Sequence, residues 1–319
     1  MILIISDKND VHTLKVEICL TAASIKYMRF NLDVASLKQT LVSFNRFEWN
    51  IECPNGKFNS SEVTVIWNRR TYVELLLDEI DDTSVEFKIW KGEWNKTLLG
   101  IYSSLESKIW LNFYRDAYYA ENKFRQYSVA STVNLKTPTF ICSNNINMLK
   151  SFFDDSKEKV IKYLNQDFYK VADGSYKGIY VNKILKNDLG TFQKIGENPI
   201  ILQNYIQKKF EVRYTVVGQE HFVCRIDSQE SKIANIDWRR YDLANTPHSI
   251  IKPPKDVEIS VGKFMKAFNL NYGALDFIVA ESGEWYFLEL NSMGQFLWIE
   301  DLTGLQISNS IANWLINNN

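Results

Sequence analysis

Residues 273–291 read GALDFIVAESGEWYFLELN. Two β-rich runs flank Ser282-Gly283, and glycine tolerates the positive φ of a tight two-residue turn, so the stretch reads as a β-hairpin. With that turn, Ala280 faces Trp285, Ile278 faces Phe287 and Asp276 faces Glu289. Asn291 lies two residues beyond Glu289 and shares its face. Leu275, Phe277, Val279, Tyr286, Leu288 and Leu290 fall on the other face as a core-facing set. Opposed carboxylates repel each other. They persist if one keeps a proton or if a cation sits between them. Asp, Glu and Asn oxygens with no His or Cys suit a hard cation such as Mg2+, which keeps waters and takes phosphate oxygens. The hairpin thus points to a metal–nucleotide site. A solvated hairpin end with two unrelated acids fits the spacing equally well.

The rest of the composition narrows the choices. At 319 residues the chain suits two or three subdomains. A net charge of -1 argues against a dedicated nucleic-acid binder, and no nucleic-acid partner is expected. Cys19, Cys53, Cys142 and Cys224 form no C-x-x-C pair, so neither a zinc site nor a disulfide framework is expected. His12, His221 and His248 are scattered, with no H-E-x-x-H and no G-x-S-x-G elbow, which leaves His-based hydrolysis little to stand on. The opening MILIISDKND has no basic region before its short apolar run, so it is not read as a signal peptide. No apolar run reaches the roughly eighteen residues of a membrane span, and a cytoplasmic protein is expected.

Along the chain, residues 2–6 read as a buried strand and 11–27 as a helix with Leu14, Ile18 and Ile25 on its stripe; 27–32 return as a strand. This β-α-β opening implies an α/β layer with parallel strands. It lacks G-x-G-x-x-G, so a dinucleotide site is not expected. Strands follow at 41–51 and 63–67. Arg69 and Arg70 in WNRRTY read either as a solvated strand end or as an anion or peptide contact. A helix is expected over 98–131, a break at Pro138, and a strand over 158–164 interrupted by Lys162. A hairpin over 179–195, strands at 200–206, 211–217 and 220–226, and a helix over 256–270 complete the pattern. Trp298 and Trp314 are read as core.

The ordered set of polar residues carries a family resemblance. Asp276 followed by the E-x-N of Glu289 to Asn291 resembles the metal site of ATP-grasp carboxylate–amine ligases. Lys123 in ENKFRQYSVA and Lys162 in KVIKYL resemble the two nucleotide lysines of that family. DGSYKG, residues 173–178, falls where a flexible loop covers the phosphates. LQNYI, residues 202–206, resembles the adenine hinge and implies nucleotide contacts from Gln203, Asn204, Tyr205 and Ile206. Glu211 falls at the ribose-binding acid and Arg213 near the phosphates. Further on, NSMGQFLWIEDLTGLQIS resembles the N-x-x-G-Q-W-x-W-(I/L)-E…T-G-L-x-I pattern of the microviridin-type macrocyclases, or graspetide synthetases. DWRRYD, residues 237–242, resembles their D-W-R motif and WNRRTY their W-x-R-R motif. Phe296 departs from the usual Trp, and Asn204 from the Glu of many hinges.

The resemblance implies an α/β (α+β) ATP-grasp fold: an N-terminal pre-ATP-grasp domain over 1–118, a central subdomain over 119–202 and a C-terminal subdomain over 203–319. It implies ATP and Mg2+, the metal held by Asp276, Glu289 and Asn291. The implied reaction phosphorylates Asp or Glu side chains of a ribosomal precursor peptide and joins them to Ser, Thr or Lys as ω-ester or ω-amide links. Arg213 and Arg239 would hold the carboxylate or acyl phosphate, with Asp237 the candidate base. A leader segment would dock near the hairpin over 180–194, which reads equally well as a solvated charged hairpin, and a homodimer is implied. The runner-up is a related ATP-grasp ligase that adds an amino acid to a peptide or small molecule, since the D…E-x-N core is shared. A third reading is an inactive nucleotide-sensing scaffold.

Overall fold

The computed structural model describes residues 1–319 apart from 83, 154–157, 165–167, 171–172, 179–180, 190–197 and 232–244. The strand Ile2–Ser6 is buried along its whole length and pairs in parallel with Tyr27–Asn31 and Val65–Asn68. Ile109–Leu111 adds a fourth parallel strand beside Val65–Asn68. A continuous apolar run is what a parallel strand covered on both faces requires. Asp10 starts the helix Val11–Ala22 by accepting from Thr13 N at 3.0 Å.

The inner face of that helix is not the expected stripe. His12, Val16 and Leu20 point inward, while Leu14 and Ile18 are 46% and 65% exposed. Both faces carry aliphatic residues, so apolar spacing does not tell which one packs. Two further expectations change. The strand expected over 41–51 is the start of an antiparallel meander, Leu41–Phe44, Trp49–Cys53 and Gly56–Asn59. The helix expected over 98–131 is Val85–Ser104, the strand Ile109–Leu111, and helices Tyr114–Ala120 and Lys123–Thr132. The third helix restarts because Asn122 caps it, accepting from Arg125 N at 3.0 Å.

A second, antiparallel sheet runs in the order Asn182–Ile184, Lys159–Lys162, Ile200–Asn204, Phe140–Ser143. Asn182–Ile184 is the first arm of the expected 179–195 hairpin; the other arm falls outside the described residues. A third sheet of five antiparallel strands runs His248–Ile250, Glu220–Ile226, Lys208–Val217, Tyr272–Ala280, Trp285–Asn291. Helices Lys123–Thr132 and Lys255–Ala267 cover one face, with Tyr127, Phe264, Leu275, Phe277 and Phe287 in their shared core. The other face joins the N-terminal sheet: Ile4, Trp67, Cys224, Ile226, Phe296 and Ile311 belong to a single cluster.

Arg69 locks that junction and is not a solvated strand end. It is 1% exposed, lies 3.2 Å from Asp10 and donates to the Met293 carbonyl at 2.7 Å. His12 adds a second tie. Its Nδ1 accepts from Leu297 N at 3.2 Å, and its ring meets Phe296 edge-on at 4.8 Å. Burial, and after it the charge of Arg69, lowers the His12 pKa from 6.5 to about 4. The imidazole is therefore neutral in the folded chain at pH 7, as its acceptor role requires. Between those two values the unfolded chain binds a proton that the folded one refuses. His12 thus contributes stability above 6.5 that is lost as pH falls through about 4. Urea midpoints at about pH 7 and about pH 5 should differ less for His12→Gln than for the native chain. An unchanged difference would contradict this role.

Candidate active site

Two bulges shape the site. In the last hairpin Asp276 does face Glu289, but Phe277 faces Phe287 and Ile278 faces Tyr286, so Leu288 is an extra residue. The turn is not the expected two-residue type. Ala280 N donates to Glu284 O at 2.9 Å across a three-residue connection, with Gly283 at φ 85°. That connection shifts the register by one, and the bulge at Leu288 restores it before Glu289. The core face changes accordingly: Phe287 is buried with Leu275 and Phe277, whereas Tyr286 and Leu288 are not in that cluster. The second bulge lies between Lys208 and Phe210 on the neighbouring strand. It brings Lys208 onto the face of Glu211, and the two form a buried ion pair. Ser228 Oγ also donates to Glu211, at 2.9 Å.

A cleft opens between the second and third sheets. Lys162, Gln203, Asn204, Tyr205, Ile206, Glu211, Asp276 and Glu289 all border it, and Lys208 joins them. Pro138, Val160, Val181, Ile278 and Leu288 supply an apolar lining. Asp276 and Glu289 are 5% and 8% exposed. Each has a cation beside it: Arg213 Nε lies 2.9 Å from Asp276 Oδ1, and Lys123 pairs with Glu289. Asn291 is half-buried on the same strand, opposite Ala274. Along the hinge, the backbone N–H groups of Asn204 and Tyr205 donate to Thr139 O and Glu158 O, both at 2.8 Å. Lys159 Nζ donates to Asn204 Oδ1 at 2.7 Å, and Lys183 lies 3.7 Å over the Tyr205 ring.

Asp237 and Arg239 lie outside the described residues. Of residues 173–178, Asp173 accepts from Ser175 N at 2.8 Å, at the tip of the hairpin Phe168–Lys170 and Tyr176–Gly178. Trp298, read as core, packs against the cluster that joins the N-terminal and third sheets, with Arg213 5.9 Å over its ring. Lys208 and Lys159 were not foreseen. The Lys208 signal is hidden by the bulge, since strict alternation puts it opposite Glu211. Among the described residues no three His, Cys, Asp or Glu side chains cluster as a complete metal site. Two opposed carboxylates, with the Asn291 amide two residues along the same strand, offer oxygen donors of the type that would suit Mg2+ completed by phosphate and water oxygens.

A model of the MvdD pre-ATP grasp domain matches residues 1–117. The macrocyclase MdnC of Microcystis aeruginosa MRC, solved bound with precursor peptide MdnA, is 27% identical with a TM-score of 0.88, covering 100% of both chains. A RiPP-associated ATP-grasp ligase of Chryseobacterium gregarium, solved with ADP and a leader and core peptide, is also 27% identical. Its TM-score is 0.87, over 100% of this chain and 97% of that one. The macrocyclase MdnB of Microcystis aeruginosa MRC is 25% identical with a TM-score of 0.81, over 99% and 98%. A search of curated proteins finds no significant match. The fold is the expected mixed α/β ATP-grasp arrangement behind a pre-ATP-grasp domain.

Lys208 and Glu211 are 1% and 5% exposed, so removing the amine leaves a buried carboxylate without its cation. Lys208→Met should cost about 3–5 kcal/mol, and adding Glu211→Gln should recover most of it. Urea unfolding of the single and double variants checks this; purely additive losses would contradict it.

Proposed function

We propose that this chain, similar over its whole length to a macrocyclase and to a RiPP-associated ATP-grasp ligase, acts as a graspetide synthetase and crosslinks the side chains of a ribosomal precursor peptide at the expense of ATP. The carrying observation is the buried Asp276–Glu289 pair, opposed across two strands in a cleft that also holds Lys162, Lys208 and the hinge. The likeness to ligases solved with precursor peptides supports the choice of substrate.

The chemistry follows from the charges. A carboxylate is a poor acylating agent, so an oxygen of a peptide Asp or Glu attacks the γ-phosphorus of ATP. The bond to the β,γ-bridging oxygen breaks and ADP leaves. A Ser or Thr hydroxyl, or a Lys amine, of the same peptide then attacks the acyl phosphate carbonyl, loses its proton and expels phosphate. Each crosslink removes one water from the peptide. Bound to Asp276, Glu289 and Asn291, Mg2+ would neutralise and align phosphate oxygens. Lys162 and Lys208 face the same cleft and offset triphosphate charge. Glu211 is placed to accept from a ribose hydroxyl, and residues 203–206 border the base. Lys123 and Arg213 supply positive charge beside the two carboxylates. Arg213 and Arg239 are assigned to the peptide oxyanion, because a guanidinium fork pairs oxyanions through two hydrogen bonds. Asp237 is assigned as proton acceptor.

The reading keeps the division 1–118, 119–202 and 203–319, a homodimer, a leader contact near residues 180–194 and a cytoplasmic location. Among the described residues no helix is long and apolar enough to cross a membrane. Intact mass of the peptide encoded beside the gene, after incubation with the protein, ATP and Mg2+, tests the proposal. Loss of whole waters is expected, and Glu289→Gln should abolish it. An unchanged peptide, or one that gains the mass of a free amino acid, would move the assignment to the related amino-acid ligase.

A further inference from the structure

Trp285–Asn291 is the edge strand of its sheet. One side pairs with Tyr272–Ala280; the other meets the helix Lys123–Thr132 and the segment after it, where Lys136 O accepts from Phe287 N at 2.7 Å. An edge strand leaves backbone donors and acceptors in need of partners. At Leu290 a side chain supplies those partners. Gln126 is 1% exposed, and its Oε1 accepts from Leu290 N at 2.9 Å. Its Nε2 donates to Leu290 O, also at 2.9 Å, and to Ala120 O at 2.6 Å. Leu290 lies between Glu289 and Asn291. The same short segment grips both flanks. Lys123 pairs with Glu289, and Glu121 accepts from Ser292 N at 2.8 Å and Ser292 Oγ at 2.6 Å.

We propose that Gln126 is a positioning residue for the metal edge: it pins both peptide groups of Leu290 and so sets the direction in which Glu289 and Asn291 present their oxygens. The argument is geometric. Rotation about the Leu290 backbone swings its two neighbours together, and an amide side chain, carrying a donor and an acceptor, resists that rotation from both ends. A carboxylate at position 126 would keep only the acceptor, and a thioether neither. Partners that orient metal ligands without touching the metal typically change affinity by about 10- to 100-fold when removed.

The inference rests on the proposed function, and its test separates the two. Mn2+ serves as the probe. Its binding in the presence of ADP is followed by the electron paramagnetic resonance of free Mn2+, for the native chain, Glu289→Gln and Gln126→Met. ADP binding in metal-free buffer is measured alongside as a readout of an intact cleft. For Gln126→Met, Mn2+ affinity about 10- to 100-fold weaker with metal-free ADP binding unchanged is expected. Native Mn2+ affinity in a folded Gln126→Met would overturn the role of Gln126 while leaving the metal site standing. Failure of the native chain to bind Mn2+ with ADP, or equal binding by Glu289→Gln, would instead sink the metal site and the inference with it. If Gln126→Met does not fold, Gln126→Glu takes its place, with weaker Mn2+ binding again expected and native binding again overturning the proposal.

Discussion

Two carboxylates facing each other across adjacent strands, Asp276 and Glu289, set the terms for everything around them. Both are nearly buried, and burying one charge is costly unless an opposite charge compensates it. Arg213 stands beside one and Lys123 beside the other. Neither cation comes from the last hairpin. Arg213 reaches in from the neighbouring strand Lys208–Val217, and Lys123 from the first turn of a distant helix. The pair therefore forms only once these elements have packed, which ties the chemistry of the cleft to the assembly of the third sheet.

The segment just after Glu289 is held from every part of the chain. Asn112, at the end of the N-terminal sheet, donates to Ser292 O at 3.0 Å and to Tyr272 O at 2.8 Å. Its Oδ1 accepts from Tyr272 N at 2.9 Å, so one amide links both strands that carry the acids. Arg69 holds the carbonyls of Met293 and Gly294, and Tyr272 Oη donates to Gly294 O at 2.7 Å. A Cβ on Gly294 would sit 2.5 Å from that of Ala274, so the chain there approaches its neighbour as closely as only glycine allows. Such a fully bonded turn is a rigid base for a ligand set, and sites of this kind need their supporting contacts held within fractions of an ångström.

Much of this was legible in the sequence, and the limits have physical causes. The parallel opening and the five-stranded third sheet's central strands follow from apolar runs, turn residues and alternation, whereas Asp276 and Glu289 face each other as expected only because the longer connection and the bulge at Leu288 cancel. The ordered Lys123, Lys162, hinge and E-x-N set carried the family resemblance. What alternation cannot foresee is a bulge, because one extra residue reverses the face of everything beyond it. That is why Lys208 went unnoticed and why Tyr286 and Leu288 were placed in the core instead of Phe287. The inner face of the first helix was misread for another reason: aliphatic residues line both sides, and only the tertiary partner chooses. The partners of Arg69 and Gln126 gave no local signal, since they lie far along the chain.

The central claim is that the cleft activates a peptide carboxylate by transferring phosphate to it. The measurement that tests this most directly is the fate of oxygen. A precursor peptide carrying oxygen-18 in its Asp and Glu carboxylates, turned over with ATP and Mg2+, should release inorganic phosphate that has gained one labelled oxygen per crosslink. Phosphate free of label, with crosslinks still forming, would contradict the account.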